Sequence, residues 1–133
     1  PNGRKSNRRL DSITDLAYVD GKVLVAGMTS NAAPSNVRSL VFPFTTADDG
    51  TAIEIFHGAH GKLEDYAAVR TFVPFTINGE PSLLAGFVCT PLVKFPINSL
   101  SPGKKVRGTT VAELGNRNRP IAMITMKPSA ASC

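Results

Sequence analysis

Short runs in which apolar and polar residues alternate cover most of the chain, and turn residues separate them. In the first half these runs predict four strands, at residues 13–19, 22–28, 37–44 and 51–56. Asp20-Gly21 joins the first two and is the signal of a type I′ hairpin, because both central residues of that turn need positive φ. The pattern therefore predicts a meander of antiparallel strands, and only residues 61–66 have a spacing that suits a helix.

The second half repeats the landmarks of the first in the same order. Four of them recur: Asp20-Gly21 as Asn78-Gly79, the Ala-Gly run 25–28 as 84–87, Phe42-Pro43-Phe44 as Phe95-Pro96-Ile97, and 52–55 as 110–114. Residues 119–124 also resemble 11–16, as if a third copy began. Recurrence at a near-constant period is the mark of a repeat architecture. We therefore predict two copies of a four-strand unit, at 10–60 and 66–115, and one more strand at 119–126.

The repeated glycines and prolines carry expectations of their own. Gly27 and Gly86 fall inside strands, where glycine weakens the strand unless another part of the chain must approach closely; a bulge is the alternative. Pro43 and Pro96 cannot donate a hydrogen bond to a central ladder, so we expect each of them at a bulge or at the end of its strand.

The opening run Ile-Thr-Asp-Leu-Ala-Tyr-Val-Asp-Gly-Lys-Val-Leu-Val-Ala, at residues 13–26, resembles bacterial β-propeller repeat proteins of the NHL and YVTN type. Residues 53–61, 89–96 and 112–120 are similar to phrases of exported, functionally uncharacterised propeller proteins. The resemblance covers about residues 10–126. It implies an all-β fold of two four-stranded antiparallel blades plus the first strand of a third, and an extracellular or periplasmic location. It brings no functional residue with it.

Two blades alone leave apolar sheet faces uncovered, since propellers close with four to eight blades that pack on one another. At roughly 25 cal/mol per Å², an uncovered face of a few hundred Å² costs on the order of 10 kcal/mol. We therefore expect the chain to be part of a larger propeller or to self-associate, for example as a ring in which residues 121–126 complete a neighbour's first blade. The alternative is that the strands form a single β-sandwich.

The net charge of +5 is concentrated at the two ends of the chain. Residues 10–103 carry five basic against nine acidic side chains, whereas the segments before and after them are basic. Because stacking aromatics are missing from the basic ends, the sequence disfavours nucleic-acid binding. The basic segment 1–9 and the small-residue tail 127–133 are predicted to be flexible.

The cysteines and the hydropathy set two further limits. Cys89 lies in an apolar run and is expected to be a buried free thiol, whereas Cys133 ends the tail, so the pair does not fix a redox compartment. No stretch approaches 18 uninterrupted apolar residues, so we expect no membrane partner.

Two loops hold the residue types that bind ligands. Both histidines of the chain, His57 and His60, lie in the first, and histidine is the commonest metal ligand. Two ligands are too few, and the candidates for a third are Asp48, Asp49, Glu64, Asp65 and Cys89. The second loop contains Asn116, Arg117, Asn118 and Arg119, whose arginines suit a carboxylate or a phosphate. We predict ligand binding at both loops and assign no metal, cofactor or catalytic residue. The alternative at the first loop is a turn in which Gly58 and Gly61 supply positive φ and the imidazoles make ordinary hydrogen bonds, and at the second loop it is a plain solvated turn.

Catalytic signatures are missing from the sequence. It has no Gly-x-Ser-x-Gly elbow and no phosphate-binding glycine loop, and Asp48-Asp49-Gly50 lacks the ligand spacing of an EF-hand. We therefore expect a non-enzymatic binding or scaffold module, a fragment or subunit of a propeller that presents loops 57–61 and 115–119 to a protein or small ligand. The alternatives are a metal-dependent or redox protein that uses His57 and His60, and a nucleic-acid binder that uses the basic termini.

Overall fold

The computed structural model describes residues 8–30, 33–46, 48–58, 60–87, 91–115, 118 and 120–126. These residues form ten strands and two short 3-10 helices, at Arg8–Asp11 and Ile97–Ser99. The strands make two open sheets, which confirms the predicted all-β class. No helix in the described ranges is long and apolar enough to cross a membrane. Cys89, Cys133 and most of the two predicted flexible ends lie outside these ranges.

The first half of the chain builds most of the first sheet. Its path is β1 (Asp15–Val19), β2 (Lys22–Met28), β3 (Ser35–Val41), β4 (Thr51–His57) and β5 (Lys62–Glu64), each antiparallel to the next. A further strand, β9 (Lys105–Arg107), pairs with β4 in parallel. The β1–β2 turn has the predicted geometry, since Asp20 and Gly21 have φ angles of 47° and 79°.

The second sheet is antiparallel throughout. Its strands are β6 (Val69–Ile77), β7 (Glu80–Phe87), β8 (Pro91–Pro96) and β10 (Thr109–Glu113), in the spatial order β10-β8-β7-β6. Asn78 and Gly79 have φ angles of 51° and 77°, so the β6–β7 turn also has the predicted positive-φ pair. The two turns occupy the same place in their meanders, between the first and second strands.

The two sheets meet at both edges. A nearly continuous extended segment runs from β9, beside β4, into β10, which pairs with β8. Gly108 lies at the crossing, where a Cβ would be 2.4 Å from Val93 Cγ1 and 2.6 Å from the Phe95 ring. The crossing at Gly108 therefore requires a residue without a side chain. At the other edge, the Phe72 N–H of β6 donates to the Asp15 carboxylate of β1 at 2.9 Å.

A single apolar core lies between the sheets. The first sheet contributes Leu24, Ala26, Val37, Ile53 and Ile55, and the second contributes Val69, Phe72, Leu83, Ala85, Phe87, Val93 and Phe95. On β4 and β8 the buried residues alternate with more exposed ones, as expected for strands with one face on a core.

Both strand glycines lie where another part of the chain approaches closely, as predicted. A Cβ on Gly27 would be 1.9 Å from the Ser12 carbonyl oxygen, and a Cβ on Gly86 would be 2.6 Å from Pro120 Cγ. The prolines also behave as expected, since β3 ends just before Pro43 and β8 ends at Pro96. The segments that approach the glycines, around residues 12 and 120, are the pair that the sequence aligned with each other.

Three segments differ from the prediction. Residues 120–126 form no strand, because Pro120 lacks an N–H and no described strand pairs with the segment. β3 stops at Val41 instead of residue 44, because the chain turns at Phe42-Pro43 and the Phe44 N–H donates to the Val41 carbonyl at 2.8 Å. Residues 62–64 form β5 instead of a helical turn, because the 58–61 turn returns them to β4.

Candidate functional site

His57 ends the inward-facing row of β4. Thr51, Ile53, Ile55 and His57 are all buried, and the residues between them are more exposed. His57 itself is only 1% exposed. A polar ring at the end of an apolar row needs a hydrogen-bonding partner, because burying an unpaired polar group is costly.

Glu64 of β5 supplies that partner. The pairing of Ile55 with Glu64 places the carboxylate on the same face as His57, and Glu64 is 4% exposed. His57 Nδ1 lies 3.3 Å from Glu64 Oε2, and His60 Nδ1 lies 2.5 Å from Glu64 Oε1. The centroids of the two imidazole rings are 4.0 Å apart. The structure thus brings both predicted histidines onto one buried carboxylate.

The turn after β4 holds His60 above this carboxylate. The His60 N–H donates to the His57 carbonyl and the Gly61 N–H to the Gly58 carbonyl, both at 3.1 Å. Gly61 has a φ of 62°, a conformation that glycine adopts without strain. The side chain of His60 is 48% exposed, so the cluster opens to solvent on this side.

The electrostatics of the cluster favour an ionised carboxylate. Burial raises the pKa of Glu64, but hydrogen bonds with His60, His57 and Tyr66 outweigh it and hold the pKa below its ordinary value. One ring nitrogen of each histidine and one oxygen of Glu64 lie within 4.8 Å of one another. Two imidazoles and a carboxylate are ligand types that metal ions use. Of the four candidates for a third ligand that lie within the described residues, the fold therefore selects Glu64.

The start of the second predicted loop lies beside the first. The Gly58 N–H donates to the Glu113 carboxylate at the end of β10, at 3.1 Å. Asn118 is exposed and donates from Nδ2 to the Leu114 carbonyl at 2.6 Å. Asn116, Arg117 and Arg119 lie outside the described residues. Of the six predicted binding residues, the structure therefore joins the two histidines and places Asn118 in the neighbouring loop.

A network of ion pairs ties β9 to β4 and to the end of β5. Lys105 Nζ lies 2.5 Å from Asp65 Oδ2 and 3.4 Å from Glu54 Oε2, and Arg107 Nε lies 2.8 Å from Glu54 Oε1. The hydrogen bond from Arg107 lowers the pKa of Glu54, and the hydrogen bond to Asp65 raises the pKa of Lys105. Pairs this exposed contribute little stability, so we assign the network to the positioning of β9.

Apolar side chains are exposed along β1 and along the segment after Pro120. Leu16 and Tyr18 point outward from β1. Ile121 is 91% exposed, and Ile124 and Met126 are each 80% exposed. Leu16 and Ile121 line one groove between β1 and β6. We call these five side chains the apolar edge; Leu16 and Ile121 adjoin through the groove, and contiguous exposed apolar surface is typical of a protein contact.

The sequence held a signal for Glu64 but none for Glu113. Counting residues 58–61 as a four-residue hairpin turn pairs His57 with Lys62 and Ile55 with Glu64, which sets Glu64 on the His57 face. Glu113 reaches Gly58 across 55 residues of sequence, and only the fold brings them together.

No protein-family model, curated protein or solved structure matches this chain. Its function therefore has to be inferred from the chemistry of its own surface and of the histidine cluster.

Proposed function

We propose that this chain is a non-enzymatic binding or scaffold module that associates with a second copy of itself through the apolar edge and presents loops 57–61 and 115–119 to a ligand. The observation that carries the proposal is the exposure of Ile121, Ile124 and Met126, at 80–91%. Side chains of this size and character gain free energy when a protein partner removes them from water.

The apolar edge is of the size that a moderate self-association needs. Burying an isoleucine or methionine side chain completely contributes about 1.5–3 kcal/mol, so the three side chains after Pro120 supply about 5–9 kcal/mol. Association itself costs an estimated 4–15 kcal/mol. The segment alone is therefore close to balance, and a stable contact requires Leu16 and Tyr18 of β1 as well.

The strand order is compatible with this contact. β1 ends the first sheet, and edge strands present unpaired backbone groups that another chain can use. Residues 121–126 have no strand partner among the described residues. The propeller relation belongs to the same proposal, and the equivalent turns at Gly21 and Gly79 and the close approaches at Gly27 and Gly86 support it.

The loops support the ligand-binding half of the proposal. The hydrogen bond between Gly58 and Glu113 holds the first loop against the end of β10, two residues before the second loop begins, which favours a ligand shared by the two loops. His60 and Asn118 are exposed polar side chains, one in each loop. Such loops on a rigid sheet scaffold are the usual place for binding residues.

Light scattering of the purified chain over a range of concentrations tests the self-association. We expect the wild type to form one defined oligomer, and a trimer would favour a six-bladed ring. Leu16→Lys combined with Ile124→Lys places two charges in the apolar edge and should give a monomer. The matched control is Ile77→Lys, which changes an exposed apolar residue at the β6–β7 turn and should leave the oligomer intact.

Three results would contradict the proposal. A wild type that stays monomeric at every concentration excludes self-association. An oligomer that survives the double substitution places the contact elsewhere. Turnover of a substrate by the purified wild type excludes a non-enzymatic module.

A further inference from the structure

The geometry points to a binding site for one divalent transition-metal ion of the Zn²⁺ class, with His57, His60 and Glu64 as its protein ligands. The site goes beyond the proposed scaffold role, because it requires neither self-association nor a protein partner.

The ligand types select the class of ion. Imidazole nitrogens together with one carboxylate suit Zn²⁺ and its first-row neighbours, whereas Mg²⁺ and Ca²⁺ prefer sites made of oxygens. With a neutral imidazole on each histidine and an ionised Glu64, a divalent ion leaves the cluster with a single net positive charge.

One of the donor distances fits a tetrahedral ion. Metal–ligand bonds of 2.0–2.2 Å at the tetrahedral angle place neighbouring donor atoms roughly 3.3–3.6 Å apart. His57 Nδ1 and Glu64 Oε2 already have this separation, at 3.3 Å. A ring nitrogen of each histidine and one carboxylate oxygen all lie within 4.8 Å of one another. His60 Nδ1 lies 2.5 Å from Glu64 Oε1, which is shorter than this spacing, so the half-exposed ring of His60 has to move away from the carboxylate when an ion enters.

Two of the three ligands are held by the sheet. His57 and Glu64 lie on paired strands and are 1% and 4% exposed, so their positions are fixed by the β4–β5 ladder and by the core. Tyr66 also hydrogen-bonds Glu64, and residues around metal ligands commonly make such bonds. A ligand pair that is ordered before binding loses little entropy when the ion arrives.

The third ligand leaves the ion open to solvent. His60 lies in the turn, and its side chain is 48% exposed, which gives an ion a path into the cluster. Three protein ligands leave one tetrahedral position for water. The site is therefore of the open type and not of the closed, purely structural type.

The test is a titration with Zn²⁺ and with Co²⁺, using protein without a histidine tag and with Cys89→Ser and Cys133→Ser. The chain has two histidines, both in the cluster, so no other imidazole contributes. We expect one ion per chain by calorimetry, and Co²⁺ absorption bands of the intense, tetrahedral kind. His60→Ala should weaken binding by at least about a hundredfold, because it removes a direct ligand. Glu64→Gln should also weaken it.

Matched controls separate ligation from general surface charge. Asp65→Asn changes the neighbouring carboxylate, and Asn118→Ala changes an exposed polar side chain in the adjacent loop. Both variants, made in the cysteine-free protein that serves as the parent, should bind Zn²⁺ as tightly as that parent does. Because His60 is half exposed, His60→Ala should keep the circular dichroism of the cysteine-free protein, and its urea midpoint should fall only slightly, since buried Glu64 loses one hydrogen bond but keeps the one to His57.

A parent protein that binds no stoichiometric Zn²⁺, or a folded His60→Ala variant that binds it equally well, would overturn the proposal. Binding that is present with the cysteines and disappears when they are replaced would do the same, since it would identify a thiolate site.

Discussion

Replacing Gly27 by alanine tests the close approach that the fold requires on β2. The new Cβ would lie 1.9 Å from the Ser12 carbonyl oxygen, so one of the two backbone segments must move. Ser12 is not free to move, because Thr14, two residues further on, is anchored to β2. The Thr14 N–H and hydroxyl both donate hydrogen bonds to the Ala26 carbonyl, at 2.8 and 3.2 Å. The cost therefore includes both overpacking and weakened hydrogen bonds.

The magnitude follows from these contributions. Overpacking costs about 1–3 kcal/mol, and one lost hydrogen bond costs about 0.5–1.5 kcal/mol. Alanine also adds about 0.4–1 kcal/mol to the free energy of unfolding, because it lowers the conformational entropy of the unfolded chain. We expect Gly27→Ala to lower the free energy of unfolding by about 0.5–4 kcal/mol, and the middle of this range moves the urea midpoint by about 1 M at a typical slope of about 2 kcal/mol per M.

Gly86→Ala is the matched comparison. Its Cβ would meet Pro120 Cγ at 2.6 Å, but the segment that follows Pro120 is exposed and can shift with little lost burial. We expect a destabilisation well below that of Gly27→Ala, together with weaker self-association because the apolar edge moves. Urea unfolding and light scattering measure the two effects. Equal stability of Gly27→Ala and the wild type would refute the reasoning about the Ser12 contact.

Three further predictions concern the cluster, the ion pairs and the core. Because the pKa of Glu64 is lowered in the fold, its ionisation stabilises the folded state fully above the unfolded value of 4.5, and this stabilisation is lost as the pH falls through the folded-state pKa. The urea midpoint should therefore drop less for Glu64→Gln than for the wild type as the pH is lowered. Parallel plots of midpoint against pH for the two proteins would contradict this. Lys105→Ala should lower the urea midpoint less than Gly27→Ala does, and the gap between Lys105→Ala and the wild type should shrink when salt is added. A large loss of stability that does not depend on salt would instead show that Lys105 has a packing role. Gly108→Ala should cost about 1–3 kcal/mol, because its Cβ meets buried Val93 and Phe95, and unchanged unfolding would contradict the crossing geometry.

Local turn chemistry made the hairpins predictable. Asp20-Gly21 and Asn78-Gly79 specify positive φ at both central residues, and each joins the first two strands of its sheet. Glycine inside a strand was also informative, since Gly27 and Gly86 both lie under a closely approaching segment. In each case a few neighbouring residues determine the conformation, which is why the sequence alone reveals it.

Features that depend on distant contacts were not predictable in the same way. β9 pairs with β4 across about 50 residues of chain, and its polar-apolar-polar alternation covers only the three residues 105–107, which is too short to indicate a strand. The apolar run 121–126 has the pattern of a strand, but a strand also needs a partner, and none of the described strands offers one. Glu64 was one of several candidates in the sequence, and its selection required the register of β5, a strand of only three residues that the pattern did not predict.

The energetics of the histidine cluster explain why we regard it as functional. His57 and Glu64 occupy buried positions at the end of an apolar row, where well-packed apolar side chains are often as stable as an ion pair or more so. Hydrogen bonds offset the burial of the carboxylate, but they give the fold no clear advantage over isoleucine or leucine at the same places. Metal binding gives a reason for these residue types that packing does not give, because an ion requires nitrogen and oxygen donor atoms close together beside an opening to solvent. The stability of the fold therefore does not account for the cluster, whereas a bound ion does.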